Sequence, residues 1–161
     1  MKFTEEQSYN QPWLIAISIF PVLVLMVGII YQVGLGKSFG SNPVPDSTLY
    51  LLLFTMSLPA IVLRIIKLKT EITKKEIHFG FHPFHSKSVS WEEVLSARVI
   101  KYGFVGGYGI RMFTKHGTVY NVRGKMGLAI ELKTGKKLII GTQDPDRLKT
   151  YLKRIEKPYP H

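Results

Sequence analysis

The chain contains no cysteine, and its 11 acidic residues stand against 22 lysines and arginines. Without thiols there is no disulfide framework and no thiolate metal site, so any fold must rest on its own apolar core. The shortage of acid leaves a formal charge of +11. A chain this basic seeks an acidic partner, either anionic lipid headgroups or nucleic acid. Catalytic motifs are also missing: there is no nucleophile elbow and no pair of carboxylates on one element. The glycines Gly103, Gly106, Gly107 and Gly109 are not followed by the Lys-Ser or Lys-Thr of a P-loop and read as a flexible connection between strands. The chain is therefore read as noncatalytic, with no cofactor.

Charge is absent from two long stretches, Trp13 to Val33 and Ser47 to Leu63. At roughly 1.5 Å per residue the first would span about 31 Å as a helix, close to the hydrocarbon thickness of a bilayer. The second reaches full span over Leu49 to Ile66 if Arg64 snorkels into the headgroups. The pattern predicts a transmembrane hairpin over residues 13–66, with helices at about 13–33 and 48–66 and a loop at 34–47. A cleaved signal peptide fits poorly, because Glu5 and Glu6 sit in the leader and the apolar run is too long. Residues 1–12 are then a short cytoplasmic segment. Only Lys37 marks the loop, whereas Arg64, Lys67, Lys69, Lys74 and Lys75 crowd the exit of the second helix. The positive-inside rule places both termini in the cytoplasm and the protein in the cell (inner) membrane as a multi-pass chain.

Residues 1–64 hold Lys2, Lys37 and Arg64 against Glu5, Glu6 and Asp46, which cancel, so the net positive charge lies wholly in residues 65–161. Trp13, Tyr31 and Tyr50 fall near the predicted helix ends, where amphipathic rings favour the interface. Pro21 and Pro59 lie inside the spans and are read as tolerated kinks; Pro59 frees the carbonyl of Thr55, which a nearby hydroxyl or the neighbouring helix can satisfy. The loop is rich in Gly, Ser and Pro, with Asp46 or Ser47 as the cap of the second helix.

After Leu68 the pattern changes to alternation, the mark of strands with one wet face. Thr70–Thr73 and Glu76–Phe81 flank Lys74 and Lys75 as a hairpin. Ser90-Trp91-Glu92-Glu93 fits a capping box, either a single turn or the start of the strand through Val94 to Tyr102. Strands follow at Tyr108–Thr114, Thr118–Arg123, Gly127–Lys133 and Lys137–Gly141, with Thr134 and Gly135 turning between the last two. The chain then shows its clearest element. Asp144 caps, Pro145 takes the first helical position, and Lys153, Arg154 and Lys157 suit the C-terminal end. Leu148, Tyr151, Leu152 and Ile155 form one apolar stripe that needs a sheet to cover.

This order of strands, the single last helix, Trp91 after a Ser-rich loop, and the segments GGYGIR, AIELKTGKKLIIGTQ and DPDRL resemble bacterial pleckstrin-homology-like domains. The whole chain resembles small membrane proteins with two N-terminal transmembrane helices and one such domain. The resemblance implies an α+β antiparallel roll over residues 67–161, about seven strands in two near-orthogonal sheets, with the C-terminal amphipathic helix plugging one corner. Phosphoinositide-binding relatives use a basic loop between the first two strands, and Lys74 and Lys75 lie at a comparable place. The spaced Lys and Arg pattern of a specific headgroup site is not there, so what is implied is nonspecific attraction to acidic lipid.

The candidate contact residues for lipid headgroups or a partner are Arg64, Lys67, Lys69, Lys74, Lys75, Arg111 and Arg123. Arg111 and Arg123 are expected side by side on the solvated face of a sheet, with Ile110, Met112, Tyr120 and Val122 on the buried one. His78, His82 and His85 do not converge from local geometry, because His85 has the wrong parity and Pro83 breaks the ladder, so no metal is expected. His161 is terminal. The reading is a membrane-anchored binding or scaffold protein meeting anionic lipid or a protein partner at the cytoplasmic membrane face. Its alternative is an accessory subunit of a membrane enzyme or transporter, for which intramembrane ionisable residues are expected and not found. Nucleic acid is disfavoured as a partner by the permanent anchor.

Overall fold

Alternation from Lys67 onward builds a hairpin around Lys74 and Lys75, as the sequence predicts. In the computed structural model, which describes residues 2–155, strand β2 (Lys67–Ile72) turns into β3 (Glu76–His82) with Ile72 opposite Ile77 and Leu68 opposite Phe81. Leu68 and Ile72 are fully buried on one face, while Lys67, Lys69 and Glu71 point the other way. Thr73 closes the turn: its hydroxyl accepts the backbone N–H groups of Lys75 and Glu76.

The same sheet holds two strands not expected from the sequence. The N-terminal segment is strand β1 (Phe3–Ser8), antiparallel to β2 with Glu6 opposite Lys69, and β4 (Lys87–Ser90) pairs with the far side of β3. The count among the described residues is therefore nine, not about seven. Among the described residues, 2–8 group with 66–155 in one compact unit. The capping box at Ser90 is present as a single turn over Trp91–Glu93: Ser90 Oγ accepts from Glu92 N, and Ser90 N donates to Glu93 Oε2. Trp91 is buried, with its ring N–H donating to Thr73 O at 2.8 Å.

The second sheet contains β5 (Val94–Lys101), β6 (Gly109–Thr114), β7 (Gly117–Asn121), β8 (Met126–Leu132) and β9 (Lys137–Gly141), ordered β5-β8-β9-β7-β6. All its pairs are antiparallel except β7 with β9. The two sheets share a core, in which Phe79 meets Tyr120 edge-on at 5.0 Å between ring centroids. Helix α3 (Pro145–Arg154) closes it. Asp144 caps as expected, accepting from Arg147 N, and Leu148 and Tyr151 are the buried part of its stripe. Tyr151 donates its hydroxyl to Ile72 O at 2.8 Å and lies 5.9 Å from the ring of Phe3. Lys157 and His161 lie outside the described residues.

Strand β1 reaches beyond its own sheet. Gln7 Nε2 donates to Gly141 O at 2.7 Å, and the Glu5 carboxylate accepts from Thr142 Oγ1 and Gln143 N, both at 2.6 Å. Thr142 Oγ1 in turn accepts from Asp144 N. The first residues of the chain thus hold the end of β9 and the entry to α3.

Residues Tyr9–Ile65 form a separate unit. Helix α1 (Pro12–Ile29) carries on through Gly34 as a wider π turn, and α2 runs from Asp46 to Ile65. Their bounds agree closely with the apolar stretches. Gly28 is needed where Phe39 folds back on α1, since a Cβ there would meet the ring at 2.8 Å. Asp46 is the first residue of α2, and its carboxylate accepts from Gln32 Nε2 at 2.7 Å. The hydroxyls of Thr55 and Ser57 donate back to carbonyls of the preceding turn. Both helices are long and apolar enough to cross a membrane, and almost none of their residues are buried inside the protein itself.

Candidate functional site

The seven cationic residues picked from the sequence do not form one cluster. Arg64 belongs to the last turn of α2, in the helical unit, where a positive charge suits the negative end of the helix dipole. The other six belong to the sheet unit. Lys67 and Lys69 lie on the outward face of β2, and Lys74 and Lys75 form the exposed tip of the β2–β3 hairpin.

Lys67 and Lys69 are not free cations. Glu6 of β1 stands between them: its carboxylate is 3.0 Å from Lys69 Nζ and 3.4 Å from Lys67 Nζ. The hydrogen bond and charge of Lys69, helped by Lys67, hold the Glu6 carboxyl below the ordinary carboxylate range. Lys2 similarly meets Glu71 at 3.2 Å. All these side chains are well exposed to solvent, where such pairs are weak and screened by salt. Their effect is to lower the positive potential over the outer face of β1 and β2. Lys74 and Lys75 sit past the end of that paired patch, so the hairpin tip is the more cationic part. Sequence reasoning missed Glu6 because its role depends on a strand pairing across some sixty residues; the available signal was the alternation of Phe3, Glu5 and Gln7 against Thr4, Glu6 and Ser8.

Arg111 and Arg123 are not neighbours. Arg111 pairs with Val119 in the β6–β7 ladder, four positions short of Arg123, or about 13 Å along a strand. Arg123 lies beyond the end of β7, with Nε donating to Gln143 Oε1 at 2.7 Å. The expected buried partners divide as well. Tyr120 and Val122 are buried, but Ile110 and Met112 are exposed. Ile110 pairs regularly with Tyr120 but on the edge strand of the sheet, whereas Met112 falls in the irregular pairing between Arg111 and Thr114, where Phe113 is in the left-handed region at φ 59°.

His78 and His85 are separately engaged. His78 Nδ1 is 2.6 Å from Ser88 Oγ, and His85 stacks on Tyr120 with ring planes 2° apart. Among the described residues no three His, Asp or Glu side chains come together in a way that would hold a metal.

The sequence matches no protein-family model and no curated protein.

Proposed function

We propose that the protein is a noncatalytic, membrane-anchored binding or scaffold protein of the pleckstrin-homology-like kind, whose sheet unit meets anionic lipid at the cytoplasmic face of the membrane. The observation that carries this reading is the exposure of α1 and α2: two helices of spanning length bury almost none of their apolar side chains fully inside the protein. Exposed apolar surface on that scale needs an apolar environment, and a bilayer supplies it. Aromatic Trp13, Tyr31 and Tyr50, exposed near the helix ends, favour the interface. A transmembrane hairpin with a loop bearing only Lys37 leaves both ends of the sheet unit on the cytoplasmic side. Each Lys near an acidic leaflet contributes on the order of 1 kcal/mol, and Lys74 and Lys75, unlike Lys67 and Lys69, carry charge that no carboxylate among the described residues offsets.

Hydrogen exchange of the full chain in nanodiscs tests the lipid contact. Backbone amides around residues 73–76 are expected to be better protected in acidic than in neutral lipid. That protection should vanish at about 1 M salt, where screening shortens to ~3 Å, and in the Lys74→Gln/Lys75→Gln double variant. Equal protection in both lipids would overturn the lipid contact and leave a protein partner as the reading. Topology has its own test, which the absence of cysteine makes clean. Single cysteines at Ser41 and Lys133 are probed with an impermeant thiol reagent on intact cells, and labelling at 41 but not 133 is expected.

A further inference from the structure

The outer face of the second sheet carries a basic recess that none of the residues above explains. The register draws its floor: Arg98 of β5 lies opposite Ala129 of β8, which lies opposite Ile139 of β9, which pairs with Val119 of β7. Val119 and Ile139 are fully buried with Tyr102 in a small core on this face, against which Ile100 and Ala129 pack. The next row holds Glu131 opposite Lys137. The β6–β7 turn brings Lys115 and His116 over the same place. Gly117 fixes that turn: its φ is +79°, and a Cβ there would run into the carbonyl of Lys137. The result is a recess of about 140 Å³ lined on its polar side by Arg98, Lys115, His116, Glu131 and Lys137.

Two properties say what this recess takes. Three cations against one carboxylate leave two net positive charges before His116 is counted, and Glu131 already engages Lys137 at 3.4 Å. Such a set repels a metal ion and attracts a small anion. His116 Nε2 is buried and has no hydrogen-bond partner within the protein. With essentially no accessible surface, that nitrogen is out of reach of a ligand in the recess, so His116 is a wall of the site and not its donor. The volume accommodates roughly four to five water-sized groups at ~30 Å³ each, enough for a phosphate group with the first atoms of its substituent. The apolar floor at Ile100, Ala129 and Ile139 strengthens charge interactions above it and suits the carbon side of an ester.

We propose that this recess binds a phosphate monoester dianion, held by Arg98 and Lys115 beside the ring of His116, the charge of Glu131 tempering Lys137. The site is distinct from the hairpin tip and from the lipid contact assigned to it. The same chemistry belongs to a soluble phosphate ester and to a monoester lipid headgroup such as that of phosphatidic acid.

The test uses the full chain with ¹⁵N-labelled histidine in nanodiscs of neutral lipid, titrated with inorganic phosphate. The His116 ring resonances are expected to shift with a saturable profile, and Arg98→Gln or Lys115→Gln should each weaken binding about tenfold, equivalent to ~1.4 kcal/mol. Glu131→Gln should tighten it a few-fold. Nanodiscs containing phosphatidic acid separate the sources. Competition with free phosphate assigns the recess to a headgroup, and undiminished phosphate binding assigns it to a soluble ester; either result upholds the site. No His116 shift up to ~10 mM phosphate, weaker than the millimolar range of functional small-anion sites, overturns it. So does a shift of undiminished affinity in the folded Arg98→Gln and Lys115→Gln variants. Because the lipid is neutral, failure here says nothing against the hairpin contact, and failure of the hairpin contact says nothing against the recess.

Discussion

The helical unit and the sheet unit handle apolar residues in opposite ways. In α1 and α2, side chains such as Phe20, Leu51 and Phe54 are more than half exposed, whereas in the sheets Leu68, Ile77, Val119 and Ile139 have no exposed surface at all. The sheet unit makes its own apolar interior from alternating strands. The helices leave that task to their surroundings. The same residue types thus carry different energetic meaning in the two units, and substitution separates them.

The largest effect is expected where a charge enters the closed core. Leu148 is 2 % exposed on the buried stripe of α3. Leu148→Asp should destabilise the sheet unit by about 4 kcal/mol or more, a large share of a typical total stability. Melting followed by the fluorescence of buried Trp91 reads that loss. Leu51→Asp in α2 should leave the sheet melt unchanged and instead cost about 2.5–3.5 kcal/mol of membrane insertion, read by resistance to alkaline extraction from membranes. If Leu51→Asp lowered the sheet melt as much as Leu148→Asp, the contrast between the units would be wrong.

Next in size is the tie made by β1. Gln7 is 3 % exposed and bonds across to Gly141, so Gln7→Ala should cost about 1–3 kcal/mol through the unsatisfied carbonyl. A fragment of residues 66–161 should be less stable still, because it loses the whole strand, bares the edge of β2 and frees the residues that Glu5 holds ahead of α3. A fragment melting like the full sheet unit would show β1 to be an ornament.

Smaller effects follow from titration. Burial raises the phenols of Tyr102 and Tyr151 above the ordinary value. The folded state then holds its protons more tightly than the unfolded one. The stability from this difference is complete below the ordinary tyrosine value of ~10 and is lost as pH rises through it toward the folded values. Melting temperature should fall above about pH 10, and Tyr102→Phe should flatten that fall. Glu6 has the opposite sign. Its lowered carboxyl contributes stability above the ordinary carboxylate value, lost as pH falls through the folded one. Being fully at the surface, it should give the smallest change, seen only on the acid side and absent in Glu6→Gln. The same substitution releases Lys67 and Lys69 and should strengthen attraction to acidic lipid.

Much of the architecture was legible along the chain because it depends on neighbours. Charge-free runs of spanning length set α1 and α2, alternation set β2, β3 and β5 to β9, and the Ser90 and Asp144 caps followed from side chains that bond a few residues away. Only the tertiary structure decided the pairing of β1 with β2, the ion pairs of Glu6 and the tie from Glu5 and Gln7 to the end of β9. It also decided the separation of Arg111 from Arg123, and the meeting of Arg98, Lys115, His116 and Lys137 on one sheet face. The physical reason is range. Caps, turns and periodicity are fixed by local geometry, whereas ladder register and charge proximity depend on which distant strands become adjacent, and that is settled by burial of the common core.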